Sequence, residues 1–219
     1  MSDAFDGGQG AYGSGGQPRR EGASVTRAAD DVLSHHPVPR HRLTVADYHR
    51  LGQAGILGED DRVELLDGQL VDMSPISPRH ALAVDALSEL LIHAVAGRAH
   101  VRVQNPITLD SGSEPQPDLA VVRRPWSGYP RAHPGPADVL LLIEVADSSL
   151  ELDLGAKRAI YARAGIAEFW IVDLTTDTVL VHRDPDGDGY RSVTPVQAPG
   201  VLDVHALTGV TVPAGPIFA

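Results

Sequence analysis

The sequence has no cysteine and only one lysine, Lys157. The first absence removes disulfides, thiolate zinc sites and cysteine nucleophiles together. No apolar run reaches the length that crosses a bilayer, and the N-terminus carries no apolar core of the signal-peptide kind. A soluble, cytoplasmic protein without a membrane partner is therefore expected. Positive charge is scarce too, with 18 Lys and Arg against 29 Asp and Glu and a formal net charge of -11. That balance argues against coating nucleic acid or anionic membranes by bulk electrostatics, although it leaves room for a locally positive site. What remains is 219 residues with 42% hydrophobic content, enough for one well-packed domain with an extension.

The first forty residues read as a weakly ordered or disordered tail. Gly7-Gly8, Gly13, Gly15, Gly16 and Pro18 bury little and follow no sustained period. The domain is expected over residues 41–219. Thr44 is placed to cap a short helix through Tyr48 and Leu51. Val63 to Leu66 and Gln69 to Met73 flank Asp67-Gly68, a strong hairpin signal. Ser77-Pro78 opens a long helix with Leu82, Leu87, Leu90 and Leu91 as its apolar stripe and Gly97 as its stop. Val101, Val103 and Ile107 to Leu109 look extended. Leu119 to Val122, Val139 to Ile143 and Phe169 to Val172 read as buried strands, with one helix from Leu150 to Ala164 between the last two. Val179 to His182 and Tyr190 to Val193 form a final hairpin. Strands alternating with two good helices define an α/β or α+β domain around a mixed sheet.

Chemistry concentrates at three positions. Pro117-Asp118 precedes one buried strand, Glu144 closes another, and Lys157 lies one to two turns into the next helix. A carboxylate at the tip of a buried strand costs several kcal/mol unless it meets a cation or hydrogen-bond donors. Two such groups on adjacent strand ends can hold a hard divalent cation, which takes one or two carboxylates, waters and phosphate oxygens. A nearby ammonium would orient water or offset charge building on phosphate oxygens. In a chain that otherwise uses arginine, the lone lysine marks a position where a compact point charge is wanted rather than a planar fork.

Pro117-Asp118, Ile143-Glu144-Val145, Asp153, Lys157, Tyr161, Gly165 and Glu168 to Asp173 resemble the Uma-two family of restriction-endonuclease-like proteins, within the PD-(D/E)XK nuclease superfamily. The upstream run Glu64 to Pro75, followed by His80, resembles it as well, so the likeness spans roughly residues 41–185. The resemblance implies a restriction-endonuclease-like core, a central mixed sheet flanked by helices. It implies a Mg²⁺-dependent DNA endonuclease, with Mn²⁺ as a substitute. Carried over by residue, Asp118 and Glu144 bind the metal, the Val145 carbonyl joins them, and Glu64 completes the shell. Where the superfamily places lysine two residues after the acid, this chain has Ala146, and the role passes to Lys157. His80, Asp153 and Tyr161 stand as accessory residues.

Each assignment has a structural alternative. Asp118 can be a local turn residue. Asp153 and Lys157 can be a solvated i,i+4 pair, Glu64 can face solvent from its hairpin, and His80 can supply only an early-helix hydrogen bond. Asp184 to Gly189 imitates the start of a calcium loop, but its twelfth position is Pro195 where a bidentate Glu is required. Gly155-Ala156-Lys157 lacks the glycine-rich loop of a phosphate-binding P-loop. Arg123, Arg124 and Arg131, with Arg158 and Arg163, are the clusters expected to track a DNA backbone. A homodimer would suit an enzyme that cuts both strands, although no segment marks an interface. The competing reading is a catalytically inactive nuclease-fold module that binds nucleic acid or a protein.

Overall fold

The structure, a computed structural model, describes residues 39–58, 60–124, 132–147 and 149–219. The N-terminal tail up to residue 38 and Arg131 therefore lie outside the described residues. The folded unit is Arg42–Ala219. Its centre is a six-stranded sheet built from β3 (His100–Val103), β4 (Leu119–Val122), β5 (Val139–Ala146), β6 (Glu168–Asp173), β7 (Thr178–Asp186) and β8 (Gly189–Val196), side by side in that order. All neighbours are antiparallel except β5 and β6. A parallel pair needs a crossover, which the helical stretch after β5 supplies. Every residue of β4, β5 and β6 is buried, because both faces of the sheet are covered.

One face packs Leu119, Val121, Leu141, Ile143, Val145, Trp170 and Val172 against α2 (Pro78–Val95) and the C-terminal segment. That segment holds β9 (Val201–Asp203) and β10 (Thr211–Pro213), which form a small hairpin. The other face packs Ala120, Val122, Leu142, Phe169 and Ile171 against Tyr161, Ile160 and Leu66. The period of two along each strand thus sends neighbouring residues to opposite cores. Glu144 shares a face with Leu142, the side covered by the crossover helix. Leu119 pairs with Ile143, so one step further along the two antiparallel strands sets Asp118 across from Glu144.

Local chemistry fixes the remaining elements. Thr44 caps α1 (Val45–Gln53), accepting from the Asp47 backbone while the Asp47 carboxylate accepts from Thr44 N. β1 (Val63–Leu66) and β2 (Gln69–Asp72) meet through Asp67 and Gly68, both at positive φ (47° and 73°), as a type I′ turn requires. Ser77 caps α2, and Ala96 (φ 40°) followed by Gly97 (φ 80°) ends it.

Three expectations are corrected. The buried stripe of α2 is Ala83, Val84, Leu87, Leu91 and Val95, and Leu82 is 54% exposed because it lies about a quarter turn away from that stripe. Residues 107–109 form no strand. Ile107 N donates to Pro115 O and Leu109 N to Ser113 O, while Thr108 N donates to Pro134 O, so loop segments on both sides satisfy their backbone. The expected single helix from Leu150 is interrupted: α3 (Leu150–Leu152) passes through a π-helical turn (Asp153–Lys157) into α4 (Arg158–Arg163).

Candidate active site

The π turn decides where the lone lysine points. Arg158 N bonds back to Asp153 O, five residues earlier, which underwinds the helix by a fraction of a turn. Asp153, Lys157 and Tyr161 are then all buried, at 1%, 5% and 0% exposure, and face the sheet rather than solvent. The solvated-ladder alternative is thereby excluded for these residues. Lys157 Nζ lies 3.1 Å from Glu64 Oε1, 3.2 Å from Glu144 Oε1 and 4.0 Å from Asp153 Oδ1. Tyr161 OH donates to the same Glu144 oxygen at 2.5 Å. Glu144 Oε2 accepts no hydrogen bond from the described residues.

Each carboxylate is also held from outside the ion pairs. Glu64 Oε2 accepts from Gln116 N at 3.1 Å, and Asp153 Oδ2 accepts from Ser149 Oγ at 2.7 Å. Asp118 Oδ2 accepts from Val145 N at 2.8 Å and lies 3.1 Å from His80 Nε2, while Oδ1 accepts from the Gln104 amide at 3.3 Å. The turn-residue alternative for Asp118 fails on this pattern, since its partners come from α2, β5 and the segment after β3. The Ser77 cap that opens α2 fixes the first turn from which His80 projects; its hydroxyl also bonds Asp147 Oδ2 at 2.6 Å.

Burial and crowding set the protonation states. Burial pushes the Glu144 carboxyl well above the ordinary range; Lys157 opposes this, whereas Asp153, Asp118 and Glu64 add to it. Burial likewise raises Asp153. For Lys157, burial would lower the pKa, but Glu144, Glu64 and Asp153 together outweigh it and hold the ammonium above its usual value. The two directions describe one system: three carboxylates share one ammonium, and the acids carry the excess charge. Tyr161 is pushed up by burial and by Glu144, so it is a phenol that donates. His80 is raised chiefly by its hydrogen bond to Asp118.

These groups line one open cleft. Besides the expected Glu64, His80, Asp118, Glu144, Val145, Asp153 and Lys157, it exposes Arg62, Asp72, Gln104, Gln116 and Asp147, which sequence reasoning did not single out. Only Arg62 carried a usable signal, since it alternates with Glu64 at i and i+2 beside the hairpin. Of the arginines expected to track DNA, the described ones, Arg123, Arg124, Arg158 and Arg163, do not line the cleft. Arg123 and Arg124 donate to the carbonyls of Ala137 and Gly97, and Arg163 pairs with Asp67 and Asp188. Among the described residues, no three His, Asp or Glu side chains converge tightly enough to hold a metal by themselves. A hard cation that prefers one or two carboxylates and keeps its waters asks for less. Asp118 and Glu144, facing each other across β4 and β5 in a pocket of surplus buried negative charge, fit that requirement.

A mixed sheet with helices on both faces and acids at the strand ends defines a restriction-endonuclease-like α/β core. A crystal structure from Anabaena variabilis ATCC 29413, described as "a putative nuclease belonging to DUF820", has the same fold. It aligns with a TM-score of 0.62 at 16% identity, covering 80% of this chain and 97% of that one. No curated protein matches the sequence. Residues 45–215 match the Uma2 family, described as "Putative restriction endonuclease", and the chain belongs to that family.

Proposed function

We propose that this chain is a Mg²⁺-dependent endodeoxyribonuclease, able to use Mn²⁺, which hydrolyses DNA phosphodiester bonds in the cleft at the end of β5. The observation that carries the reading is the buried Lys157 ammonium held between Glu64 and Glu144, in the cleft that Asp118 also lines. Family membership supports the nuclease class, and the acid pair supports the metal.

Asp118, Glu144 and the Val145 carbonyl are the groups that would hold Mg²⁺, with Glu64 beside them. The bound cation would offset phosphate charge and acidify a water molecule. Lys157 stays protonated because three carboxylates surround it, so it acts as a donor and a point charge and not as a base. Its N–H groups, held beside Glu64 and Glu144 at the cleft, would donate to a phosphate oxygen or to the attacking water. Tyr161 and the Gln116 backbone keep one oxygen each of Glu144 and Glu64 in place, so the acids need little reorganisation. His80 orients Asp118 from the other side.

The test is cleavage of supercoiled plasmid with Mg²⁺ or Mn²⁺. Nicking or linearisation is expected from the wild type, abolished by EDTA and reduced at least ~100-fold in Lys157→Ala and Glu144→Gln. Activity that survives both substitutions would place the chemistry elsewhere. A well-folded wild type that cuts neither plasmid nor RNA with either metal would instead favour an inert binding module.

A further inference from the structure

The cleft is an unfavourable place for a polyanion. Six carboxylates line it (Glu64, Asp72, Asp118, Glu144, Asp147 and Asp153), and the ammonium of Lys157 is already shared by three of them. Arg62 is the only arginine on its wall among the described residues. The backbone there is firmly placed: Met73 N donates to Arg62 O at 2.8 Å, which continues the β1–β2 ladder by one residue and sets Arg62 on the same side of the hairpin as Glu64. Its guanidinium forms no ion pair or side-chain hydrogen bond with the described residues. Most arginines on this domain are spent on a carboxylate or carbonyl, for example Arg50 on Asp47, Arg79 on Asp177, Arg183 on Glu168 and Arg98 on Thr208 O.

From this we infer that Arg62 is the residue that seats the nucleic-acid backbone: its planar fork grips a phosphate at the mouth of the cleft and presents the neighbouring phosphodiester to Lys157, Asp118 and Glu144. An exposed arginine with no side-chain partner among the described residues contributes little to holding the fold, whereas a guanidinium matches a phosphate with two parallel hydrogen bonds. Its position on a hairpin that also carries Glu64 couples substrate seating to the acid shell by only two residues of rigid strand. The inference rests on the phosphodiesterase reading of the cleft and names the group that gives that site its substrate.

The experiment measures binding of a short fluorescein-labelled DNA duplex as salt is varied, with Ca²⁺ replacing Mg²⁺ to hold back cleavage, alongside steady-state cleavage with Mg²⁺. Arg62→Ala should weaken binding roughly fivefold or more and lower the slope of log affinity against log salt by about one. KM should rise while kcat stays within about twofold, and the melting temperature should not move. Arg62→Lys should recover the salt slope, because it restores the charge, but only part of the affinity, because it lacks the fork. An unchanged slope and KM in Arg62→Ala would overturn the inference, as would a wild type that binds no duplex. The cleavage reading fails separately: a wild type that binds with the Arg62-dependent slope and never cuts removes the enzyme and leaves the phosphate contact standing.

Discussion

At the scale of the residue, the lone lysine governs both the electrostatics and the stability of the site. Lys157 is buried against Glu64, Glu144 and Asp153, and removing one member of such a cluster leaves uncompensated charge in a low-dielectric setting. Lys157→Met should therefore destabilise the domain by about 3–5 kcal/mol near neutral pH, read from urea unfolding in EDTA. The pH dependence has a definite sign. Burial already holds Glu144 and Asp153 above their ordinary range, and without the ammonium they rise further. A group whose folded pKa exceeds its unfolded value contributes stability that is full below the unfolded value and lost as pH rises through the folded one. The variant's deficit should thus shrink steadily as pH is lowered from neutral toward the ordinary carboxylate range around 4. A deficit that stayed constant with pH would mean that lost packing of the lysine stem, not unpaired charge, accounts for the cost.

The elements matter because two of them carry the site on unusual backbone. The π turn rotates Asp153 and Lys157 toward the sheet, and the β1–β2 turn sets the reach of Glu64 and Arg62. That turn is tight: Gly68 sits at φ 73°, and a Cβ there would lie 2.6 Å from the Cβ of Arg42. Gly68→Ala should cost about 1–3 kcal/mol through a strained left-handed residue and a steric clash. Because the hairpin also positions Glu64, plasmid cleavage should fall in this variant even at temperatures where it remains folded. Full activity in a folded Gly68→Ala protein would show that the hairpin holds Glu64 only loosely to its task.

On the scale of the whole molecule, a net charge of -11 and a cleft with surplus carboxylates predict that divalent cations stabilise the native state. Binding to the folded form alone adds about 2.7 kcal/mol when the free metal is one hundred times its Kd. Thermal unfolding should shift upward with Mg²⁺ or Mn²⁺ in the wild type, and the shift should vanish in an Asp118→Asn, Glu144→Gln double variant. A shift of equal size in that variant would assign the effect to surface acids instead.

Much of this protein was legible in the chain itself. The apolar runs at Leu119 to Val122, Val139 to Ile143 and Phe169 to Val172 become β4, β5 and β6, because a strand covered on both faces must be continuously apolar. The Asp-Gly turn and the Ser-Pro cap announced the hairpin and α2 through the same local rules that hold them in place. Asp118 and Glu144 stood out for a physical reason as well: a charged group ending an apolar run must find compensation somewhere. Short-range pattern could not say how the pieces meet. Leu82 looked like core from its type alone, and the orientation of α2 against the sheet turned it outward. The π turn has no signature in the spacing of its side chains, since Asp153, Lys157 and Tyr161 follow the i, i+4 pattern that an ordinary α-helix also shows. Arg62 entered the cleft because the hairpin lies beside the segment that leads into β4, where Gln116 N donates to Glu64, a long-range contact. The sequence by itself determined which residues are buried in strands and where charge demands a partner, since propensity, turn chemistry and desolvation act locally. Only the tertiary structure decided that six carboxylates, a histidine and one ammonium share a single cleft, because that depends on strand register and helix winding between residues far apart in the chain.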